Sequence, residues 1–241
     1  MHRCWVEEAE AGQEIVLGAD ESAHVSRVLR MRAGERVQLI ARERLFEAEL
    51  TAPDDKAARL RVLAELPSPE AAARITLVQG LPKADKAEWI IQKATELGVW
   101  DVLPVEMERC IAKAGNKRER WERIALEAAK QSGRAHVPQV FEPVAFSRLT
   151  QALAGYDAVF VAWEEERALL LTEAMKRLLA QKPNAEKIAL VIGPEGGIAA
   201  REAEVLKAAG ALCVSLGKRI LRTETAGLCG LAVIMSALGE M

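Results

Sequence analysis

The sequence predicts a mixed α/β fold in two parts, a small β-rich domain followed by a larger α/β domain. Residues 1–70 contain short alternating or apolar runs separated by turn residues, whereas from residue 73 apolar runs alternate with long amphipathic segments. Residues 66–69, which read LPSP, form a stiff break between these two patterns. We therefore expect one domain over residues 1–70 and another over residues 73–241.

The first domain is predicted from four strand-like segments, at residues 14–17, 36–40, 45–50 and 60–63. Turn residues such as Gly12, Gly34 and Pro53 separate them, and a short helix is expected over residues 22–31. This arrangement is typical of a small β-barrel.

The second domain is predicted from apolar runs that suit a parallel sheet covered on both faces. The five runs are residues 75–79, 99–105, 158–162, 188–192 and 212–216. Ligand sites in such a fold lie at the carboxyl ends of the strands.

Four helices are predicted in this domain: residues 85–97, a helix marked by Trp121, Ile124, Ala125 and Ala128 and closed by Gly133, residues 201–209, and residues 225–238. Asp85 and Glu88 have capping-box spacing at the start of the first helix, and Gly98 can take the left-handed stop position after it. The last helix is apolar on nearly every side, which predicts burial in the domain or against a second subunit.

The composition is that of an ordinary globular protein, since the 241 residues are 50% hydrophobic and 28% charged and carry a formal net charge of −2. No apolar run is long enough to span a membrane, and the first residues lack the apolar core of a secretion signal. The four cysteines show no CxxC spacing and the three histidines are not paired, so we expect neither disulfides nor a metal site. A cytoplasmic protein is predicted.

The most informative loop lies at residues 190–197, which read LVIGPEGG. Three glycines beside a proline let a ligand approach the backbone closely, because no Cβ stands in the way. The loop lacks the Gly-Lys-Ser/Thr of a phosphate loop and the spacing of a dinucleotide fingerprint. It is either a plain strand-to-helix turn or a ligand loop of another kind, with Glu195 as its only charge.

A second unusual segment lies at residues 216–226, which read LGKRILRTETA. Arg222, Thr223, Glu224 and Thr225 open the apolar final helix, which Thr223 or Thr225 is expected to cap. One interpretation is a capped helix with a solvated charge run. The other is a pocket with an apolar floor, a polar rim and free backbone N–H groups.

Local basic clusters are the third feature. Between Met107 and Ala135 there are eight Lys or Arg residues and only four Glu residues, although the whole chain is slightly acidic. The eight are Arg109, Lys113, Lys117, Arg118, Arg120, Arg123, Lys130 and Arg134. A second cluster comprises His24, Arg27, Arg30, Arg32 and Arg36. Such patches suit a phosphate-rich partner, although solvated helix faces have the same composition.

Together these segments resemble the SPOUT-class (trefoil-knot) methyltransferases, and specifically the RsmE family, which makes N3-methyluridine in 16S ribosomal RNA. The matching motifs run through nearly the whole chain. They include residues 24–30 (HVSRVLR), Lys83, residues 90–99 (IIQKATELGV), residues 131–134 (QSGR), residues 192–197 (IGPEGG) and residues 216–226 (LGKRILRTETA). The QSGR block and the last segment are the most specific to this family.

The resemblance implies a PUA-like β-barrel followed by an α/β domain with a deep trefoil knot, and it implies a homodimer. It implies S-adenosylmethionine as the cofactor and a 16S ribosomal RNA uridine as the methyl acceptor, on the assembled small subunit. The cofactor contacts that it implies are Gly193, Glu195, Gly196, Leu216, Gly217, Ile220, Leu221 and Thr225.

Methylation at N3 of uracil requires loss of a weakly acidic imide proton, so a base or a stabilising cation must assist. We expect Arg222 or Arg134 to stabilise negative charge on the uracil. Glu195 or Glu224 is expected to remove the proton or to orient an arginine. The expected RNA-binding residues are Arg3, His24, Arg27, Arg30, Lys83, Lys93, Arg109, Arg120, Gln131 and Arg134.

The sequence departs from the family pattern at three positions. Ile198 stands where an aromatic residue is usual, and Cys110 replaces a usual Ser. Ala199 stands where a Ser or Thr normally caps the next helix, which leaves Glu202 without its capping-box partner.

Three alternatives stay open. A ribose 2′-O-methyltransferase shares the knot and differs in its product. A non-catalytic RNA-binding or assembly factor would keep the fold without the methyltransferase activity. A metabolic α/β enzyme with an incidental basic helix would show no saturable RNA binding. The sequence identifies neither the base nor whether naked or assembled RNA is the substrate.

Overall fold

The computed structural model describes residues 2–83, 86–111, 115 and 117–241, which form two compact units. The first unit ends at Glu70 and also contains Gly133–His136, and the second comprises Ala71–Ser132 and Val137–Met241. The sequence analysis placed residues 133–136 in the α/β domain, and the structure corrects this.

The first unit is a five-stranded sheet with one short helix. Its elements are β1 (Arg3–Trp5), β2 (Glu14–Val16), α1 (Ala19–Ala23), a π-helical turn (His24–Val28), β3 (Arg36–Ala41), β4 (Arg44–Ala52) and β5 (Arg59–Leu66). The strand order is β1-β3-β4-β5-β2, in which β1 is parallel to β3 and the other pairs are antiparallel. Leu39, Phe46, Leu50 and Leu60 are fully buried in its core.

The helix predicted over residues 22–31 exists, but both predicted ends are wrong. The observed helix begins at Ala19 and continues as the π-helical turn only to Val28. Ser22 does not mark a helix start. Its buried hydroxyl donates to the Leu17 carbonyl (3.1 Å) and accepts from the Ala58 amide (3.0 Å). Strand β1 was not predicted, because three residues are too few to show a periodicity.

A buried carboxylate holds Gly133–His136 in the first unit. Glu70 accepts hydrogen bonds from Nε (3.0 Å) and Nη2 (2.5 Å) of Arg134 and from the backbone amides of Ala135 (2.7 Å) and His136 (3.0 Å). Both side chains of the ion pair are more than nine-tenths buried. Four donors to one carboxylate offset its desolvation and fix the segment.

The second unit is an all-parallel sheet between helices. Its strands are β6 (Arg74–Gly80), β7 (Asp101–Glu106), β8 (Gln139–Val140), β9 (Val144–Ala145), β10 (Ala158–Ala162), β11 (Lys187–Ile192) and β12 (Leu212–Val214). Their order is β12-β10-β11-β6-β7-β8, and β9 also pairs with β7. The predicted parallel sheet is therefore observed, with β12 ending two residues earlier and β7 beginning two residues later than predicted.

The helices are α2 (Lys86–Glu96), α3 (Arg118–Ser132), α4 (Leu149–Ala152), α5 (Leu171–Gln181), α6 (Ala200–Ala208) and α7 (Thr223–Leu238). One apolar cluster joins α2, α3, α5 and α7 to one face of the sheet, and another joins α4 and α6 to the opposite face. Helix α5 was not identified from the sequence. The predicted cap Asp85 lies outside the described residues, and within the described residues no helix is long and apolar enough to cross a membrane.

The contacts of the Glu70 carboxylate predict that its removal destabilises the protein. Glu70→Ala leaves the buried Arg134 guanidinium and two backbone amides without their acceptor, so we expect the free energy of unfolding to fall by about 3–5 kcal/mol. Chemical denaturation measures this. The matched control is Glu173→Ala, which removes an exposed i,i+4 ion pair with Arg177 and should cost no more than about 0.5 kcal/mol. Equal losses in both variants would contradict the role assigned to Glu70.

Candidate functional site

A pocket of about 450 Å³ opens in the second unit beyond the carboxyl ends of β10, β11 and β12. This is the edge at which ligands bind in open parallel sheets. Of the expected site residues, those that line it are Gly193, Glu195, Gly196, Leu216, Gly217, Ile220, Leu221 and Arg222. Thr225, Glu224 and Arg134 are not among its lining residues.

The loop after β11 depends on glycine at Gly197. Its φ is +74°, and a Cβ built there would lie 2.0 Å from Oε1 of Glu164. A side chain at Gly193 would meet the Gly197 carbonyl carbon at 2.8 Å. The loop is therefore folded tightly on itself and against Glu164, and its residues 193–197 line the pocket.

The loop is tied to the start of α7 by buried hydrogen bonds. The Thr223 hydroxyl donates to the Gly193 carbonyl (2.6 Å) and accepts from Nε2 of Gln79 (2.9 Å), which also donates to the Gly80 carbonyl (2.9 Å). The expectation that Thr223 or Thr225 caps α7 is wrong, because no side chain caps this helix. Thr223 instead joins the end of β6, the glycine loop and α7.

A cation bridges two carboxylates at the pocket. Nζ of Lys86 lies 3.2 Å from Oε1 of Glu195 and 3.2 Å from Oε2 of Glu224. The Lys83 backbone amide also donates to Oε1 of Glu195 (3.0 Å). Lys86 thereby links the beginning of α2 to the glycine loop and to α7.

Both carboxylates are held in the ionised form. Burial raises the pKa of Glu195, but the Lys83 amide, the residue's own backbone amide and the Lys86 ammonium outweigh it and leave the pKa below its ordinary value. The pKa of Glu224 is lowered chiefly by its own backbone amide and then, against burial, by Lys86 and Arg222. Carboxylates with lowered pKa values are weak proton acceptors and strong orienting partners for cations.

The helix that follows the glycine loop keeps half of a capping box. The buried Glu202 accepts from the Ala199 amide through Oε2 (3.1 Å) and from the Glu108 amide through Oε1 (2.8 Å). The expectation that Glu202 lacks its capping-box partner is therefore wrong, because that partner is the backbone amide of Ala199, which any residue but proline supplies. Alanine removes only the side-chain acceptor of the box.

Several residues that line the pocket were not predicted from the sequence, notably Lys86, Trp163, Glu164 and Arg167. The last three follow the carboxyl end of β10, so the rule that ligand sites lie at strand ends was the available signal. Arg109 also joins this region, because its Nη1 donates to the Gly196 carbonyl (3.1 Å) and lies 3.9 Å from Glu164.

The expected RNA-binding residues divide into two groups. His24, Arg30, Lys83, Arg109, Arg120 and Gln131 are exposed, as is Arg27 beside Asp55. Arg3, Lys93 and Arg134 are largely engaged within the protein. Arg3 bonds Gln38 and the Gly133 carbonyl, Lys93 pairs with Glu96, and Arg134 is buried against Glu70.

The predicted basic segment is partly neutralised by neighbouring carboxylates. Arg118 pairs with Glu122 and Glu142, and Arg120 pairs with Glu88 at 2.6 Å. Lys113 lies outside the described residues. The number of cations that face solvent unpaired is therefore smaller than the sequence count indicated.

Comparison with known proteins identifies the class. A family model described as an RNA methyltransferase domain matches residues 69–235, and one described as an RNA methyltransferase PUA domain matches residues 17–63. The pocket thus lies in the RNA methyltransferase domain.

The chain belongs to the ribosomal RNA small subunit methyltransferase E family, which confirms the resemblance seen in the sequence. It is 36% identical over 223 residues to the Bacillus subtilis protein of that name, covering 89% of this chain and 87% of the relative. The family member from Neisseria gonorrhoeae, solved bound to S-adenosylmethionine, superposes with a TM-score of 0.81 at 31% identity over 98% of this chain and 97% of that one. A Legionella pneumophila methyltransferase, solved in complex with the same cofactor, gives 0.71 at 28% identity over 98% and 97%.

The buried network predicts a stability effect for Thr223→Val. This nearly isosteric change removes the donor to the Gly193 carbonyl and the acceptor for Gln79, so we expect the free energy of unfolding to fall by about 1–3 kcal/mol. Denaturant titration of the ligand-free protein measures it. Thr225→Val, at an exposed position of the same helix turn, should change it by less than about 0.5 kcal/mol. Indistinguishable values for the two variants would show that the network contributes nothing.

Proposed function

We propose that this protein transfers a methyl group from S-adenosylmethionine to N3 of a uridine in 16S ribosomal RNA. The observation that carries the proposal is a pocket in the matched RNA methyltransferase domain that is lined by the glycine loop and the LGKRILRTETA segment. Relatives named for the small-subunit ribosomal RNA and structures solved with S-adenosylmethionine support the substrate and the cofactor.

The residues at the pocket fit S-adenosylmethionine. A cavity of about 450 Å³ is within the usual range for a ligand of this size, and it combines apolar side chains with exposed backbone groups. Residues 193–197 of the glycine loop all line the cavity, and side chains at Gly193 or Gly197 would collide with the protein itself. We therefore assign the cofactor contacts to Gly193, Glu195, Gly196, Leu216, Gly217, Ile220 and Leu221, with Thr225 retained from the family pattern.

When bound, S-adenosylmethionine supplies an activated methyl group on a sulfonium centre. The chain must place the uracil nitrogen in line with that group and stabilise the charge left when the imide proton leaves. Arg222 lines the pocket and is exposed there, so we assign this stabilisation to its guanidinium. Arg134, which the sequence offered as the alternative, has its Nε and Nη2 occupied by Glu70.

The lowered pKa values favour an orienting role for Glu195 and Glu224 over proton removal. Their position about Lys86 supports this, because both carboxylates contact the same ammonium group. In this assignment Lys86 holds the glycine loop and the start of α7 at a fixed separation, and Glu224 adds negative charge beside Arg222. Proton loss from the imide then proceeds to solvent or to a group of the RNA.

RNA binding is assigned to the PUA domain and to exposed cations of the larger unit. His24, Arg27 and Arg30 lie on or directly after the π-helical turn, whereas Arg109 and Arg120 belong to the larger unit. Arginine and lysine side chains supply the phosphate contacts that dominate the affinity for RNA.

The proposal includes a trefoil knot, a homodimer and a cytoplasmic site of action, as the family resemblance implies. Support for the dimer comes from Leu228, Cys229, Ala232 and Val233 of α7, which stay only partly buried within one chain although the helix is almost wholly apolar. Sedimentation velocity at two concentrations tests the dimer.

The test of function is to incubate the protein and labelled S-adenosylmethionine with unmodified 30S subunits, free 16S ribosomal RNA and bulk tRNA. Nucleoside mass spectrometry should detect N3-methyluridine in 16S RNA, and more of it from the particle than from free RNA. A ribose-methylated product would favour the 2′-O-methyltransferase alternative. Cofactor binding without any product would favour a non-catalytic RNA-binding factor.

Gly197→Ala should weaken cofactor binding. Alanine at φ +74° is strained by about 1–3 kcal/mol, and its Cβ would displace the Glu164 carboxylate that also lines the pocket. We expect S-adenosylmethionine to bind at least about 10-fold more weakly in isothermal titration calorimetry. Gly210→Ala is the control, because Gly210 has a φ of +94° but open space at the Cβ position outside the pocket. Unchanged affinity in Gly197→Ala would exclude the loop from the cofactor site.

Arg222→Lys should separate catalysis from binding. Lysine keeps the charge but loses the planar fork of donors, so we expect single-turnover methylation at saturating RNA to slow by about 100-fold or more while cofactor affinity stays constant. Lys218→Ala, which removes an exposed cation from the same loop outside the pocket lining, is the control. An Arg222→Lys rate equal to that of the wild type would refute the catalytic assignment.

A further inference from the structure

The first unit contains a cluster of side chains with metal-binding chemistry that the proposed reaction does not use. A ring nitrogen of His2, the sulfur of Cys4 and a carboxylate oxygen of Glu21 all lie within 4.8 Å of one another. Cys4 is in β1, and the carbonyl of His2 accepts from the Gln38 amide (2.8 Å), so the strand pairing continues to His2. His2 and Cys4 are two residues apart and therefore point to the same face, toward Glu21 on α1.

One atom of this cluster lacks a partner. Nε2 of His2 is buried and has no hydrogen-bond partner among the residues that the structure describes. It lies 3.9 Å from Oε2 of Glu21, which is beyond hydrogen-bonding distance. A buried imidazole nitrogen left unsatisfied costs free energy, so its presence calls for an explanation such as an ion.

The three side chains offer one nitrogen, one sulfur and one carboxylate oxygen close together. A divalent cation would satisfy all three, and the thiol proton would pass to solvent as the sulfur binds.

We propose that His2, Cys4 and Glu21 bind one divalent transition-metal ion of the zinc class. A nitrogen, a sulfur and a single oxygen form the ligand set that zinc prefers, whereas magnesium and calcium require mostly oxygen. Tetrahedral coordination sets ligand separations of about 3.3–3.8 Å, so the cluster must contract by roughly 1 Å. The side chains of His2 and Glu21 are 24% and 22% exposed, so a rotation of each can close the cluster, and a water molecule would complete the coordination.

The metal would fasten β1 to α1. This helix leads directly into the π-helical turn that carries His24 and Arg27, so the ion would fix the start of the segment to which RNA binding is assigned. The site was not predicted from the sequence, because Glu21 is brought to His2 and Cys4 only by the packing of α1 against β1.

The test uses the full-length protein, freed of metal with a chelator and titrated with Co²⁺ as a spectroscopic probe. We expect one ion per chain and a near-ultraviolet charge-transfer band from a cobalt–thiolate bond. Cys4→Ser should abolish the band, and His2→Ala should weaken the affinity by more than about 100-fold, since even outer contacts of metal sites are worth 10–100-fold. His2→Ala leaves the buried sulfur in place, so it tests the site even if Cys4→Ser does not fold.

Cys229→Ser is the matched control, because Cys229 is a partly buried free cysteine of α7 that belongs to the other unit. It should keep the band and the affinity. Zn²⁺ should raise the melting temperature of the wild type, whereas equal Mg²⁺ should not. The proposal is overturned if no band forms, if the band survives in Cys4→Ser, or if Zn²⁺ stabilises His2→Ala as much as the wild type. None of these readouts depends on methyltransferase activity.

Discussion

The carbonyl oxygen of Gly193 is the atom on which the geometry of the pocket depends. It accepts from the Thr223 hydroxyl at 2.6 Å, and Nε2 of Gln79 lies 3.4 Å away. These groups come from the loop after β11, the first turn of α7 and the end of β6, three segments far apart in sequence. Because a buried polar group without a partner costs about 1–3 kcal/mol, none of the segments can shift alone. The loop is therefore preorganised, and ligand binding does not lose conformational entropy by ordering it.

The same region pairs its carboxylates with cations. Lys86 lies between Glu195 and Glu224, and Arg109 lies beside Glu164. The pocket lining also includes Arg167, Arg219 and Arg222, so cations outnumber carboxylates around it. Each carboxylate can therefore orient a neighbouring cation, and long-range repulsion of an RNA phosphate backbone is small.

The parallel sheet and the glycine loop could be predicted because each has a local cause. Strands buried on both faces give apolar runs, as in residues 188–192, and a loop folded against its own backbone requires glycine, as at Gly197. Trp163, Glu164 and Arg167 could not be predicted in the same way. They reach the pocket because β10 pairs with β11, and strand order is a long-range property without a local pattern. The π-helical turn and the missing threonine cap likewise result from tertiary contacts.

Arg134 shows why a motif residue and a catalytic residue need not be the same. Its place in a basic segment suggested a surface role, yet its guanidinium meets a carboxylate that also binds two backbone amides. A buried ion pair of this kind contributes little net stability but is costly to break, so it fixes one conformation against its alternatives. Arg222 has the opposite setting, since it is exposed at the pocket beside a carboxylate of lowered pKa. Burial and partners, rather than charge or motif membership, are therefore the grounds on which the proposed mechanism gives a structural role to Arg134 and the chemical role to Arg222.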